Sequence, residues 1–176
     1  MSQATQRLFF ALWPDASLQK DLHSYAQRTC GSCGGRIVAK DKIHLTLVFL
    51  GSLPLERIDE LRAIGASLRA DRFRLDLAKA GCWKRSQVGW VAPENVPASL
   101  DLLVAQLRDL LSGACIPVDD KPFRPHVTLV RKAKCNVEAA PPGMRLAWSV
   151  DRFVLVRSRT LQTGSVYAKI DEWPMV

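Results

Sequence analysis

The chain has 176 residues, 48% of them hydrophobic and 24% charged, and carries a formal net charge of +8 with a sequence pI of about 9.6. That length fits one compact domain, residues 1–176, able to bury its own core, and that apolar content excludes a disordered chain. No apolar run approaches the ~18 residues of a membrane helix, and the positive surplus favours anionic partners, nucleic acid first.

In chain order, Arg7 to Trp13 predicts a strand. Its apolar stretch is only six residues before Pro14 and Asp15, too short for a signal peptide, so a cytoplasmic protein is expected. Asp15 offers an N-cap for a helix through about Thr29, with Leu18, Leu22 and Tyr25 on one stripe. Gly31 to Gly35 is a flexible loop. Ile43 to Leu50 reads as a strand that Gly51 ends. Pro54 suits the first turn of a helix carrying Ile58, Leu61, Ile64 and Leu68 at helical spacing. Phe73 to Ala78 alternates like a half-buried strand, and Val88 to Ala92 is another. Ser99 to Leu111 is a third amphipathic helix. Strand-like runs follow at 126–130, 145–150, 153–157 and 166–170.

Two of the three histidines lie in matching tetrapeptides, His44-Leu45-Thr46-Leu47 and His126-Val127-Thr128-Leu129. With six threonines in the chain, chance puts Thr two places after a given His only about 3% of the time. Both halves also contain strands and at least one helix, which suggests a duplicated unit. On a strand, residues two apart share a face. His44 and Thr46 then point one way, and Leu45, Leu47 and Phe49 the other. His126 and Thr128 repeat this, with Val127 and Leu129 turned into a core. If the two strands pair about a pseudo-twofold, two imidazoles and two hydroxyls face one cleft.

That set suits phosphodiester cleavage. A neutral imidazole can take a proton from water, and a protonated one can give a proton to the leaving oxygen. A histidine pKa of about 6.5 lets both forms exist near neutral pH. Threonine hydroxyls can donate to the phosphate oxygens where charge builds up. The scheme requires no metal and no cofactor.

With these motifs in view, the chain resembles the two-histidine (2H) phosphoesterases, most closely the bacterial RNA 2′,3′-cyclic phosphodiesterases, also called 2′-5′ RNA ligase-like or LigT-like proteins. The resemblance rests on RLFFALW, DKIHLTLVFLG, CWKRSQVGWV, KPFRPHVTLVR and SRTLQTGSVYAKIDEWPM, five blocks in the family's order. It implies an α+β fold, bilobal, of duplicated β-α-β-type units, with two antiparallel sheets flanking a central cleft. It implies hydrolysis of RNA 2′,3′-cyclic phosphate ends to 2′-phosphomonoesters, and possible reverse 2′-5′ ligation. It implies His44 as proton donor, His126 as acceptor, and Arg131 as a phosphate partner beside Thr46 and Thr128. Strand parity objects to Arg131, which should point away from the face of His126 unless the strand ends or bulges there.

Other features are weighed beside this. Relatives with the same motifs act on ADP-ribose cyclic phosphate or other small cyclic phosphates, and a non-catalytic RNA-binding module is a further alternative; the two intact motifs argue against the latter. Cys30-Gly31-Ser32-Cys33 lacks the second pair a zinc site needs, and follows a helix rather than opening one, so it reads as two loop cysteines. Phe9 and Tyr167 could border a base or belong to a core. His23 reads as an ordinary helix residue. The cluster Arg131-Lys132-Ala133-Lys134 could guide an RNA backbone or be a solvated loop. A monomer is expected, because one chain supplies both motifs.

Overall fold

The computed structural model describes residues 5–30, 34–134, 145–161 and 164–176, with the backbone alone for Cys30. Cys33 and Cys135 therefore lie outside the described residues. The strands are β1 (Thr5–Leu12), β2 (Arg36–Ile37), β3 (Leu45–Pro54), β4 (Phe73–Trp83), β5 (Val88–Pro93), β6 (Val127–Arg131), β7 (Leu146–Val150), β8 (Arg152–Leu161) and β9 (Gly164–Pro174). The helices are α1 (Ala16–Cys30), α2 (Ile58–Ser67) and α3 (Ala98–Gly113). Asp15 caps α1, its carboxylate accepting from the Leu18 amide at 2.8 Å. Pro54 ends β3 instead of opening the helix, and a 3₁₀ turn over Leu55–Arg57 separates the two.

The fold is α+β and the ladders are antiparallel, but hydrogen bonds join the strands into one sheet instead of the two expected. Its order is β7-β4-β5-β6-β3-β1-β8-β9, with β2 added on β6. The two four-strand halves are joined at a single pair, Leu45↔Val127. Those are the first residues of β3 and β6. From that point the antiparallel strands run away in opposite directions, so the junction is one pair wide. The sheet is continuous there, yet each half keeps its own neighbours.

The order of elements repeats. β1–α1–β3 and β5–α3–β6 are both strand–helix–strand with the strands antiparallel neighbours. After the first unit the chain crosses to the other half, where β4 pairs with β5; after the second it adds β7 beside β4 and then crosses back, where β8 pairs with β1.

Both faces of β1 and β8 are covered, which is why they read as continuous apolar runs. Leu8, Phe10 and Leu12 of β1 join the large core, while Phe9 and Ala11 join a small cluster with Val154 and Val156. The helices supply the rest of the large core. α3 buries Leu100, Leu103, Val104, Leu107 and Leu111, the one-sided stripe its spacing predicts. The small cluster lies under the cleft and carries Trp13 and Tyr167 at its margin.

Candidate active site

His44 and His126 each stand one residue before the strand that follows, at the junction of the two halves. The ring of each is held in the same way. His44 Nδ1 lies 2.7 Å from the carbonyl oxygen of Lys42, and His126 Nδ1 lies 2.7 Å from that of Arg124. A carbonyl only accepts, so each Nδ1 carries the proton and donates it. Nε2 is then the nitrogen free to exchange protons in the cleft. Carbonyls two residues back thus fix tautomer and ring orientation together.

Both histidines line one cleft of about 740 Å³, together with Thr46, Thr128 and Arg131. All five residues singled out from the sequence meet there. Arg131 gets there through a bulge. Gly89 of β5 pairs with Val130 but its neighbour Trp90 pairs with Thr128, so Leu129 is an extra residue on β6. The extra residue inverts the alternation: Val130 is buried and Arg131 turns to the cleft.

β3 carries the same device at the same place. Phe10 pairs with Val48 and Ala11 with Thr46, leaving Leu47 as the extra residue. This corrects the expected placing of Phe49 on the core face. Val48 is buried instead, and Phe49 is 60% exposed and lines the cleft. A second irregularity, at Leu50, brings Gly51 to φ +69° within the strand, so β3 continues past the glycine expected to end it. Phe49 and Arg131 are therefore equivalent positions, five residues after their histidines.

The surroundings of the two imidazoles differ. His44 is packed among aromatic rings: Trp13 stacked at 5.1 Å and 4°, Phe9 at 5.0 Å and 30°, and the edge of Tyr167 at 5.2 Å. Burial pushes its pKa down to about 4, against the Lys42 carbonyl, which pulls it up; Arg131 and His126 push it down further. His126 meets Trp83, ring to ring at 4.5 Å. Its pKa is also lowered, by burial first and then by Arg131, with the Arg124 carbonyl opposing. Phe9, only 3% exposed, packs on His44 instead of offering a face to a base.

The cleft is cationic. Arg7, Arg36 and Lys42 line it beside Arg131, and no carboxylate is among the described residues that line it. Reading the sequence missed Arg7, Arg36, Trp13 and Trp83. β2 is two residues long and leaves no periodic pattern to find, and the tryptophans look like any core aromatic on a strand. His23 stays apart, with Nδ1 3.1 Å from the Val38 carbonyl, as an ordinary helix residue does. Lys132 and Lys134 are exposed outside the cleft lining. Among the described residues no group of three or more His, Cys, Asp or Glu side chains is placed to hold a metal ion. Nor is any helix among them long and apolar enough to cross a membrane.

The family model for LigT like phosphoesterases matches the chain twice, over residues 12–90 and 91–167. The chain belongs to the LigT-like phosphoesterase family. Each match holds one of the two tetrapeptides, so the family's repeat coincides with the duplication read from the motifs. Family relatives include the RNA 2′,3′-cyclic phosphodiesterase of Escherichia coli (strain K12), 32% identical over 170 residues and covering 97% of each chain. The enzyme of that name from Thermus thermophilus is 31% identical over 179 residues, covering 96% of this chain and 90% of its own. Among solved structures, E. coli LigT complexed with 3′-AMP superposes with a TM-score of 0.90 at 32% identity, covering 98% of this chain and 99% of that one. The same protein complexed with phosphate gives 0.86 at 31% identity, covering 99% of both chains.

Proposed function

We propose that this chain is an RNA 2′,3′-cyclic phosphodiesterase that opens cyclic phosphate ends to 2′-phosphomonoesters. The observation that carries the reading is the pairing of His44 and Thr46 with His126 and Thr128 in one cleft, with Arg131 beside them and no carboxylate among the described residues that line it. Full-length relatives named for that activity support it, as do complexes of one relative with phosphate and with a nucleotide.

Water attacks phosphorus, and the bond from phosphorus to the 3′ oxygen breaks. His126, neutral at Nε2, takes a proton from the water. His44, protonated at Nε2, gives one to the departing 3′ oxygen. The proton count balances, and each transfer is the kind that contributes about 10²–10⁴-fold. Thr46, Thr128 and Arg131 donate to the non-bridging oxygens as charge develops there. With a 5′ hydroxyl in place of water as the attacking group, the same ring opening, again breaking the bond to the 3′ oxygen, would join RNA ends through a 2′-5′ bond, as a side activity.

The two depressed pKa values add a condition. Both histidines are neutral in the free protein at pH 7, while the donor must be protonated. The negative charge of the arriving cyclic phosphate, set beside His44, favours its imidazolium form. Substrate binding thus charges the donor. The chain acts as a single domain of two pseudo-symmetric lobes and as a monomer, since both halves of the site come from one polypeptide.

A short RNA ending in a 2′,3′-cyclic phosphate, incubated in EDTA with wild type or His126→Ala, tests the reading. Wild type is expected to leave a 2′-phosphate, and the variant to lose at least about 100-fold in rate. Wild type leaving the end cyclic would overturn it.

A further inference from the structure

The cleft holds more positive charge than one reacting group requires. A 2′,3′-cyclic phosphate carries a single negative charge, and Arg131 already stands beside the histidines. Arg36 is the ladder partner of Arg131, directly opposite it between β2 and β6. Like charges at that position repel. Neither arginine forms an ion pair with a described residue, and neither does Arg7. Among the described residues, no carboxylate lines the cleft to offset these two charges.

The arrangement is built in by the backbone. Gly35 has φ +90°, and a Cβ on it would lie 2.7 Å from the carbonyl oxygens of both Arg131 and Lys132. Only glycine lets the chain approach so closely and set Arg36 beside Arg131. From there the Arg36 guanidinium reaches across to the other half of the sheet. Its nitrogens lie 3.7 Å from where a Cβ on Gly164, the first residue of β9, would stand. Arg7 comes to the same hairpin from β1, paired with Ser158 of β8. Ser158 and Ser165 line the cleft there and supply neutral donors.

We propose that Arg36, with Arg7, forms a second anion subsite at the β8–β9 side of the cleft, taking the phosphodiester that joins the terminal nucleotide to the one before it. The inference rests on reading the cleft as a site for cyclic phosphate ends, and it names polymeric RNA over mononucleotides as the substrate class. An anion there relieves the repulsion between Arg36 and Arg131, so a substrate with two phosphates gains what a single phosphate cannot.

The test compares kcat/KM on a dinucleotide ending in a 2′,3′-cyclic phosphate with kcat/KM on adenosine 2′,3′-cyclic phosphate. Wild type, Arg36→Gln, Arg36→Lys, Arg7→Gln and Lys20→Gln are measured, the last removing an exposed charge on α1. Wild type is expected to prefer the dinucleotide. Arg36→Gln should lose about tenfold on it, chiefly in KM, and less than threefold on the mononucleotide; Arg7→Gln should shift the same way. The salt dependence of KM for the dinucleotide should flatten by about one in log–log slope, and Arg36→Lys should restore most of it. Equal losses on both substrates, or a Lys20→Gln loss as large as that of Arg36→Gln, overturn the subsite while leaving the cyclic phosphodiesterase reading in place. Wild type inactive on both substrates removes that reading and the subsite with it.

Discussion

His44 and His126 hold equivalent positions but not equivalent surroundings, and that difference has measurable consequences. His44 titrates near 4 in the folded chain against 6.5 for a free imidazole. Between those values the unfolded chain binds the extra proton, so folding stability falls as pH drops through that window and is complete above 6.5. The gap corresponds to at most about 3 kcal/mol, reduced by the open side of the cleft. Urea unfolding of wild type and His44→Ala at pH 7 and pH 4.5 checks this: wild type should lose more stability on acidification than the variant does. In the proposed mechanism the same inequality bears on catalysis. The profile of kcat/KM reports the free protein and that of kcat the bound complex. Both should be bell-shaped, with the alkaline limb of kcat at the higher pH, because bound phosphate favours protonated His44. A profile flat from pH 5 to 9 would exclude a two-histidine mechanism.

At the scale of elements, the bulges do work that periodicity could not predict. β3 and β6 each carry one extra leucine, Leu47 and Leu129, just after the threonine. Before the bulge the alternation is as the tetrapeptides imply, with His and Thr on the cleft face. After it the faces exchange, and Arg131 and Phe49 arrive on the cleft side. The short β2 depends on a similar local device at Gly35. Gly35→Ala meets both a positive φ and two carbonyl oxygens at 2.7 Å. It should cost about 2 kcal/mol or more, read as a lower urea midpoint. Because β2 pairs with Arg131, the variant should also lose activity, unlike an alanine placed at Gly113, which has open space around it.

Over the whole molecule, one residue pair joins the two halves of the sheet, yet one apolar cluster runs beneath both. Leu45, Phe10 and Phe153 of one half share it with Val127, Leu75 and Leu77 of the other. The core therefore couples what the ladder barely connects. A single cooperative unfolding transition follows, seen alike by far-UV circular dichroism and tryptophan fluorescence. Trp13 and Trp173 report on one half, and Trp83, Trp90 and Trp148 on the other, so independent lobes would separate the two signals. The geometry of the junction also places the chemistry. Because β3 and β6 meet at their first residues, the residues just before them, His44 and His126, come together at the centre of the cleft.

Sequence alone determined the chemistry on offer. Two His-x-Thr-Leu tetrapeptides state which side chains share a face, since strand alternation is a local property of a few backbone dihedrals. Helix stripes such as Leu61, Ile64 and Leu68 were legible for the same reason. Tertiary structure decided the rest. Whether there were two sheets or one turned on the single pair Leu45↔Val127, between residues 82 positions apart. The direction of Arg131 and Phe49 turned on bulges, which exist only relative to a partner strand. The neutral state of His44 turned on Trp13, Phe9 and Tyr167 closing around it from distant segments. Desolvation depends on how those neighbours pack in space, and the order of residues along the chain does not state it.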